Sequence, residues 1–415
     1  MSNWIRTAFF RTFKPKSAAA PFFVSMIFWG VGMGCFASAL NNYLVDIHGI
    51  NQFQRGLLEF FRELPGLLLV VVLALLHRMS DWRIFRLGTI IAMAGAIALC
   101  VPSNLVVATI MIMIWSTGEH LTMPVRHAIT MQVAREDRLG SALGLISSAM
   151  HAGLVAGNLI VAALFMLGLR FLGESHRASL YNIVWIIIFC LVAIALACSF
   201  SRYAPHIPSQ RPRLLFKRKF NLFYGLELFY GARKQVFFTF GPFVLIKLYG
   251  VKTGEMALLM GASAVINMVA SPLVGRLTDK VGYRAVMFYD TIILFFVCLL
   301  YGYAGDWFSY QTAFWVVRAN FLLDALISTT SMATNIYVRD IASNHDEMTS
   351  TLSTGISINH LISIIVAPLG GWVWLNWGVG TLFSLSAAMA IANSICAMQI
   401  PLRRPQSLDD AAPAA

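Results

Sequence analysis

The chain repeats itself after about 200 residues, and each copy is built from long apolar segments. The matching positions are Phe28-Trp29-Gly30 with Phe229-Tyr230-Gly231, Gly49 with Gly250, Ser80-Asp81 with Thr278-Asp279, Arg86 with Arg284, and His151 with His360. A duplication of apolar helical segments that run in the same order predicts two similar bundles, related by an axis along the membrane normal. This architecture is typical of proteins that move solutes.

The composition excludes a soluble domain, because 58% of the residues are hydrophobic and only 12% are charged. A hydropathy window of about 19 residues predicts an all-α membrane protein with twelve transmembrane helices. The predicted spans are 21–44, 56–76, 84–101, 104–131, 140–168, 179–200, 220–248, 254–275, 284–303, 311–337, 350–374 and 377–400. The predicted organisation is a segment 1–20, a six-helix bundle 21–200, a linker 201–219, a second six-helix bundle 220–400, and a tail 401–415.

The formal net charge of +12 does not indicate a nucleic-acid partner, because most of the 31 Lys and Arg residues lie in the tails and in alternate connections. The positive-inside rule then predicts that both termini are cytoplasmic. The basic cluster in the linker is expected to face anionic lipid headgroups. Its members are Arg211, Arg213, Lys217, Arg218 and Lys219.

No enzyme site is expected in this chain. The six cysteines lie in apolar spans without Cys-x-x-Cys spacing, so neither a disulfide framework nor a zinc site is indicated. There is no Walker loop and no nucleophile constellation, and no cofactor is expected. Short loops and a first span too long for a signal peptide predict a multi-pass, monomeric protein of a bacterial inner membrane.

A polar turn after the eighth predicted span carries a family resemblance. It reads Gly275-Arg276-Leu277-Thr278-Asp279-Lys280-Val281-Gly282-Tyr283-Arg284 and resembles the loop motif of the major facilitator superfamily. Its counterpart after the second span keeps Asp81 and Arg86 but lacks both glycines. The resemblance implies alternating access, with the first, fourth, seventh and tenth helices lining a central cavity. The alternative is that these turns are solvated loops with charges at helix ends.

Charged residues inside the spans are the candidates for function, because each is costly in lipid unless it is paired or hydrated. Glu59, Arg62 and Glu63 share one face of the second span, as a proton site, an outer gate, or an internally neutralised ion cluster. In the fourth span, Glu119 is the leading candidate for a proton carrier.

The seventh span places adjacent cations near its midpoint. Arg233, Lys234 and Gln235 together suit a carboxylate or phosphate group. Glu227 shares a face with Lys234. The alternative is that Asp324 or Glu119 neutralises the cations.

The predicted site residues fall into three sets. The substrate-binding set is Arg233, Lys234, Gln235, Arg318, Asp324, His120, His151, His360, Trp29 and Tyr230. The proton-coupling set is Glu119, Glu63, Glu59 and Glu227, and the conformational gate is Asp279, Arg284, Gly275, Asp81, Arg86, Arg62 and Arg126. His151 and His360 suit a proton relay or structural hydrogen bonds to serines of neighbouring helices. Without a cysteine or a clustered carboxylate beside them they make a weak metal site, so no metal is expected.

These features predict a proton-coupled secondary transporter that moves a small anionic organic solute across the lipid bilayer. Proton-driven efflux of amphiphilic or cationic compounds is the first alternative. The fifth span speaks against it, because it lacks the Gly-Pro motif of the drug:proton antiporters in the superfamily it resembles. A membrane sensor that binds a ligand without transporting it is the second alternative.

Overall fold

The computed structural model describes residues 9–101, 104–201, 203–204 and 214–401, and these are almost entirely helical. Residues 1–8 of the predicted N-terminal segment lie outside the described residues, as do most of the predicted tail and the stretch 205–213 of the linker. The prediction for Arg211 and Arg213 therefore falls outside the described part.

The helices follow the predicted spans closely. They are α1 Ala19–His48, α2 Gln52–Leu75, α3 Asp81–Ala98, α4 Leu105–Val133, α5 Leu139–Leu172, α6 Arg177–Cys198, α7 Asn221–Tyr249, α8 Thr253–Val281, α9 Tyr283–Trp307, α10 Tyr310–Ser328, α11 Met332–Ile341 and α12 His345–Met398. A single 3-10 turn, Thr329–Ser331, joins α10 and α11 into one span. The backbone of α12 turns at Gly378 (φ 87°, ψ 166°), so α12 holds two spans. The described residues thus form the twelve spans that were predicted.

Local polar residues explain where several helices begin. Asn51 and Gln54 form a reciprocal capping box at the start of α2. Asn104 caps α4 by accepting a hydrogen bond from the Val107 amide at 3.0 Å. Without such acceptors, the first amides of a helix stay unpaired.

Equivalent glycines end the first helix of each half. Gly49 and Gly250 adopt left-handed conformations, with φ of 60° and 64°. In both turns the glycine amide bonds back to the carbonyl four residues earlier, Val45 or Ile246. The repeat seen in the sequence is therefore also a repeat of backbone conformation.

Among the described residues, seven helices are long and apolar enough to cross a membrane by length and composition. The helices α2 and α7 are not among them, because each carries charged residues along its middle. Large apolar side chains are exposed on many helices, for example Val71 (58%) and Phe171 (77%). An apolar surface of this extent suits a lipid environment.

In the first bundle, α1 and α5 pack backbone against backbone. A Cβ atom added to any of four glycines would lie 2.1 to 2.2 Å from a carbonyl oxygen of the facing helix. These glycines are Gly30, Gly34, Gly153 and Gly157. In the second bundle, side chains separate the backbones of α7 and α12. Gly231 faces the Asn359 amide, and Gly355 faces the Phe223 ring.

The two bundles meet along α2 with α12 and along α5 with α8. At the end that carries the α1–α2 and α7–α8 loops, the Asn42 amide donates to the Val251 carbonyl at 2.9 Å. At the same end the Tyr181 and Thr253 hydroxyls lie 2.7 Å apart. We call this the joined end. At the opposite end, Asp279 is exposed and forms no ion pair with any described residue.

Candidate functional site

A row of buried charged side chains lies along one face of α2. The Arg55 guanidinium donates to Asn41 Oδ1 (2.9 Å) and to Glu59 Oε2 (2.8 Å). Arg62 Nη2 donates to Glu59 Oε1 (2.6 Å) and Glu63 Oε1 (2.5 Å). Glu59 is completely buried. Two guanidinium groups and two carboxylates cancel one another, as the cost of burying charge requires.

Two carboxylates of this row, Glu59 and Glu63, contact the second bundle. Gln235 on α7 donates to Glu59 Oε1 at 3.3 Å, and His360 Nδ1 on α12 lies 2.9 Å from Glu63 Oε2. The Arg62 guanidinium also lies 4.9 Å from the centre of the Phe238 ring, a cation–π distance. The predicted ion cluster on α2 is therefore also a joint between the bundles at mid-depth.

His120 on α4 lies beside this joint. Its Nδ1 is 2.8 Å from the Ser116 carbonyl oxygen, and its ring centre is 5.1 Å from that of His360. From the sequence, no carboxylate was expected beside the histidines, but the fold brings Glu63 there. The spacing along the chain did not indicate this contact, because it joins three helices from two bundles.

The other repeated histidine has a different environment. His151 is partly exposed, and its Nδ1 lies 2.8 Å from the carbonyl oxygen of Ser147 on its own helix. The equivalent positions of His151 and His360 thus do not give equivalent sites.

In the second bundle, Arg233 forms an ion pair with an acidic side chain, and a second acidic side chain lies nearby. Arg233 is buried, and its Nη1 donates to Asp324 Oδ1 at 2.7 Å. Its guanidinium also lies 5.0 Å from the Tyr230 ring. Asp290, which accepts a hydrogen bond from the Thr330 hydroxyl, lines a cavity with Arg233. This cavity of about 10 Å³ has the room that one water molecule needs.

The three residues predicted to bind an anion together do not converge. Arg233 points to Asp324, and Gln235 points to Glu59 and to Thr239 (2.8 Å). The Lys234 side chain is exposed and forms no hydrogen bond or ion pair within the described residues, and the Glu227 carboxylate is near enough to interact with its charge. Successive residues of a helix point about 100° apart, so adjacent side chains on α7 reach different neighbours.

Three further charged residues of the predicted site lie on α7 and α4. Glu227 accepts hydrogen bonds from Asn359 and, at 3.4 Å, from Thr334. The Arg126 guanidinium donates to the Met150 sulfur at 2.9 Å, a weak acceptor, and the Glu119 carboxylate is near enough to interact with its charge. Glu119 is half-buried, and its carboxylate forms no hydrogen bond within the described residues.

Two predicted substrate contacts, Trp29 and Arg318, lie elsewhere. Trp29 is fully buried and stacks parallel to Trp115 at 6.2 Å, so it packs inside the first bundle and does not line a solute path. Its symmetry partner Tyr230 differs, because it is half-buried beside Arg233. Arg318 forms an ion pair with Glu255 near the joined end and lies 3.9 Å from the Phe314 ring.

Five of the predicted gate residues lie at the end opposite the joined end, whereas Arg62 lies in the joint between the bundles and Arg126 lies beside Met150. Gln132 donates to buried Asp81 at 2.6 Å, and Arg86 donates to the Ser199 carbonyl at 2.8 Å, so both act within the first bundle. Asp279 and Arg284 form no ion pair with any residue in the described ranges, and Gly275 approaches Met332.

Two charged residues of these networks were missed in the sequence. Arg55 lies one residue before the predicted start of the second span, and Asp290 lies inside the ninth span. A wider margin at the span ends would have found Arg55, and a full count of acidic residues would have found Asp290.

Solved structures of transporters share this fold. A point mutant of the nucleoside transporter NupG superposes with a TM-score of 0.73 and 13% identity over 92% of this chain and 99% of that chain. The D-xylose–proton symporter gives a TM-score of 0.70 at 12% identity, over 92% and 96% of the two chains. A POT family transporter in complex with 5-aminolevulinic acid gives 0.72 at 11%, over 92% and 95%. At these identities the likeness establishes the fold.

The family model of the Major Facilitator Superfamily matches residues 22–346 and 226–414. No curated protein sequence matches the chain significantly. The family match spans nearly the whole chain and agrees with the two bundles and with the motif at Gly275–Arg284. This protein is therefore a multi-pass integral membrane transporter, not an enzyme, and it belongs to the Major Facilitator Superfamily.

Proposed function

We propose that this protein is a proton-coupled secondary transporter that moves a small anionic organic solute by alternating access. The observation that carries the proposal is Lys234, a cation at the middle of α7 whose side chain is exposed and forms no hydrogen bond or contact ion pair within the described residues. An unpaired charge at this depth is costly in lipid unless it meets water or a ligand.

The position of Lys234 supports a solute site between the bundles. Phe238 lies one helical turn further along α7, so the two side chains share a face. Phe238 contacts Arg62 of the opposite bundle and is still 50% exposed. The face of α7 that carries Lys234 therefore borders open space between the bundles.

The remaining charges support roles for two residues of α4. The Arg126 guanidinium has only the Met150 thioether as its hydrogen-bond partner among the described residues, so it is a second cation available to an anion. The Glu119 carboxylate has no hydrogen bond within the described residues, which suits a group that takes up and releases a proton. By contrast, Arg233 and Gln235 already use side-chain donors on Asp324 and Glu59.

The distribution of basic loops supports cytoplasmic termini. With that orientation the joined end faces outward, and the structure corresponds to an inward-facing state. Asp279 and Arg284 would then form their gate contacts only after the cytoplasmic end closes.

A ligand panel tests the solute class. Purified protein is heated with organic carboxylates, phosphorylated metabolites or lipophilic cations, and the shift in Tm is measured for wild type, Lys234→Gln and Arg126→Gln. An anion that binds the folded state raises Tm, and this shift should vanish in both variants. Lys247→Gln is the matched control, because Lys247 is an exposed lysine near the end of the same helix.

Stabilisation by cations alone, undiminished in Lys234→Gln, would contradict the proposal and favour efflux of cationic compounds. If an anion is identified, its uptake into liposomes is measured with an internal pH dye. Uptake without proton movement in wild type, or unchanged proton movement in Glu119→Gln, would rule out the proposed coupling.

A further inference from the structure

We propose that Glu63, His120 and His360 form a binding site for a divalent transition-metal ion such as Zn²⁺, and that the bound ion ties the two bundles together. One ligand atom from each residue lies within 4.8 Å of the other two. Glu63 and His120 belong to α2 and α4 of the first bundle, whereas His360 belongs to α12 of the second.

The donor set matches the chemistry of such ions. Two imidazole nitrogens and one carboxylate oxygen form three-ligand zinc sites that leave a fourth position open. Ligands at zinc bond lengths are about 3.4 Å apart in tetrahedral geometry. The distances between the present ligand atoms, 4.8 Å at most, would therefore shorten by little more than about 1 Å. Side-chain rotation can produce a change of this size.

His120 is already oriented as a ligand. Because the Ser116 carbonyl oxygen can only accept, the His120 Nδ1 at 2.8 Å must carry the hydrogen. The opposite nitrogen, Nε2, then holds a lone pair. A backbone carbonyl that fixes a histidine in this way is the usual support of a metal-binding imidazole.

Gly66 brings the two histidines to one place. A Cβ atom on Gly66 would lie 2.7 Å from both His120 Nε2 and His360 Nδ1. The two candidate ligand nitrogens thus converge on the same stretch of α2, which also carries Glu63. Any residue larger than glycine at position 66 would push the imidazoles away.

The exchange of a hydrogen for the ion is balanced. His360 Nδ1 donates to Glu63 Oε2 at 2.9 Å, and the metal would take the place of that hydrogen, which moves to Nε2 of the same neutral ring. The other carboxylate oxygen of Glu63 still accepts a hydrogen bond from Arg62, and the Arg62 guanidinium also pairs with Glu59. Glu119 precedes His120 directly in the chain and supplies further negative charge.

The ion can reach the site, because the His360 side chain is 13% exposed. Once bound, it would replace one hydrogen bond between the bundles with coordination bonds from both. A transporter that works by alternating access would then be held in the present state, and this last consequence rests on the proposed function.

Binding is tested on the full-length purified protein without a polyhistidine tag. Zn²⁺ binding is measured by titration calorimetry, and Co²⁺ binding by its visible absorption. We expect one site in wild type, and a loss of affinity of about tenfold or more in Glu63→Gln, His120→Ala and His360→Ala. His151→Ala is the matched control and should retain the affinity, since His151 lies elsewhere on α5. Gly66→Ala should weaken binding while it keeps every ligand.

A second readout is thermal stability. Zn²⁺ should raise the Tm of wild type and of His151→Ala, but not that of His360→Ala. Absence of binding at millimolar Zn²⁺ in wild type, or equal binding in the three ligand variants, would overturn the inference. Neither measurement involves the solute, so either failure leaves the proposed transport untouched.

Discussion

His360 on α12 and Glu63 on α2 share a hydrogen bond of 2.9 Å that joins the two bundles at mid-depth. Each bundle contributes one partner, and the Glu63 carboxylate also holds Arg62 of its own helix. A change in relative position of the bundles must therefore break or replace this contact. The buried charges of α2 are part of this contact between the bundles.

Replacing His360 should weaken this joint. In His360→Ala, Glu63 loses a partner, and we expect a loss of about 1.5 to 3 kcal/mol, the usual range for a hydrogen bond to a charged group. The measurement is the Tm of the purified protein. His151→Ala removes a histidine bonded only within its own helix and should leave Tm nearly unchanged. An equal effect of both substitutions would contradict a specific role for His360.

Replacing Glu59 alone should destabilise the protein more than replacing Glu59 and Arg55 together. Glu59→Met leaves two buried guanidinium groups facing a single carboxylate, and breaking a buried pair in this way costs about 3 to 5 kcal/mol. The double variant Arg55→Met/Glu59→Met leaves Arg62 paired with Glu63, so the remaining charges balance. We expect the double variant to be more stable than the single one. The Tm and the yield of monodisperse protein check this order, and a less stable double variant would refute it.

How much of this was predictable depends on how local the interaction is. The spans and the shared face of Glu59 and Glu63 followed from residues close in sequence, whereas Gly49 and Gly250 were identified only as matching positions of the repeat. The spans and the shared face depend only on local periodicity.

Contacts between distant helices could not be read in the same way. The ion pair of Arg233 with Asp324 was one of two open alternatives, and the approach of His360 to Glu63 was not foreseen. Trp29 and Tyr230 occupy matching positions, yet Trp29 packs in a core and Tyr230 lies beside Arg233. Matching positions of the sequence repeat thus lie on matching helices, but their side chains have different neighbours.

Water should reach Lys234 but not the opposite, buried face of α7 at Thr239. In a cysteine-free background, Lys234→Cys should react with a charged, membrane-impermeant thiol reagent. Thr239→Cys should stay unreacted, because Thr239 is fully buried. Mass spectrometry of the labelled protein gives the extent of reaction. Slow labelling at position 234, comparable with that at 239, would show that no aqueous space borders this face.

The glycine contacts of α1 and α5 predict two different outcomes within one helix. Gly153→Ala would place a Cβ 2.2 Å from the Ile27 carbonyl oxygen, so the helices must separate. Overpacking of this kind costs about 1 to 3 kcal/mol or more. Gly144→Ala on the same helix meets no atom within 4 Å and should be neutral or stabilising by up to about 1 kcal/mol. Thermal unfolding of the two variants checks the contrast, and a similar Tm for both would contradict the packing.

The same contact of α1 with α5 has a mechanical consequence. Two backbones that touch through glycines have no layer of side chains that can slide or change rotamer between them. The contact of α7 with α12, by contrast, contains Asn359 and Phe223, which can adjust. Under the proposed alternating access, we therefore expect the first half to move as a rigid unit and the internal adjustments to occur in the second half, including the turn at Gly378.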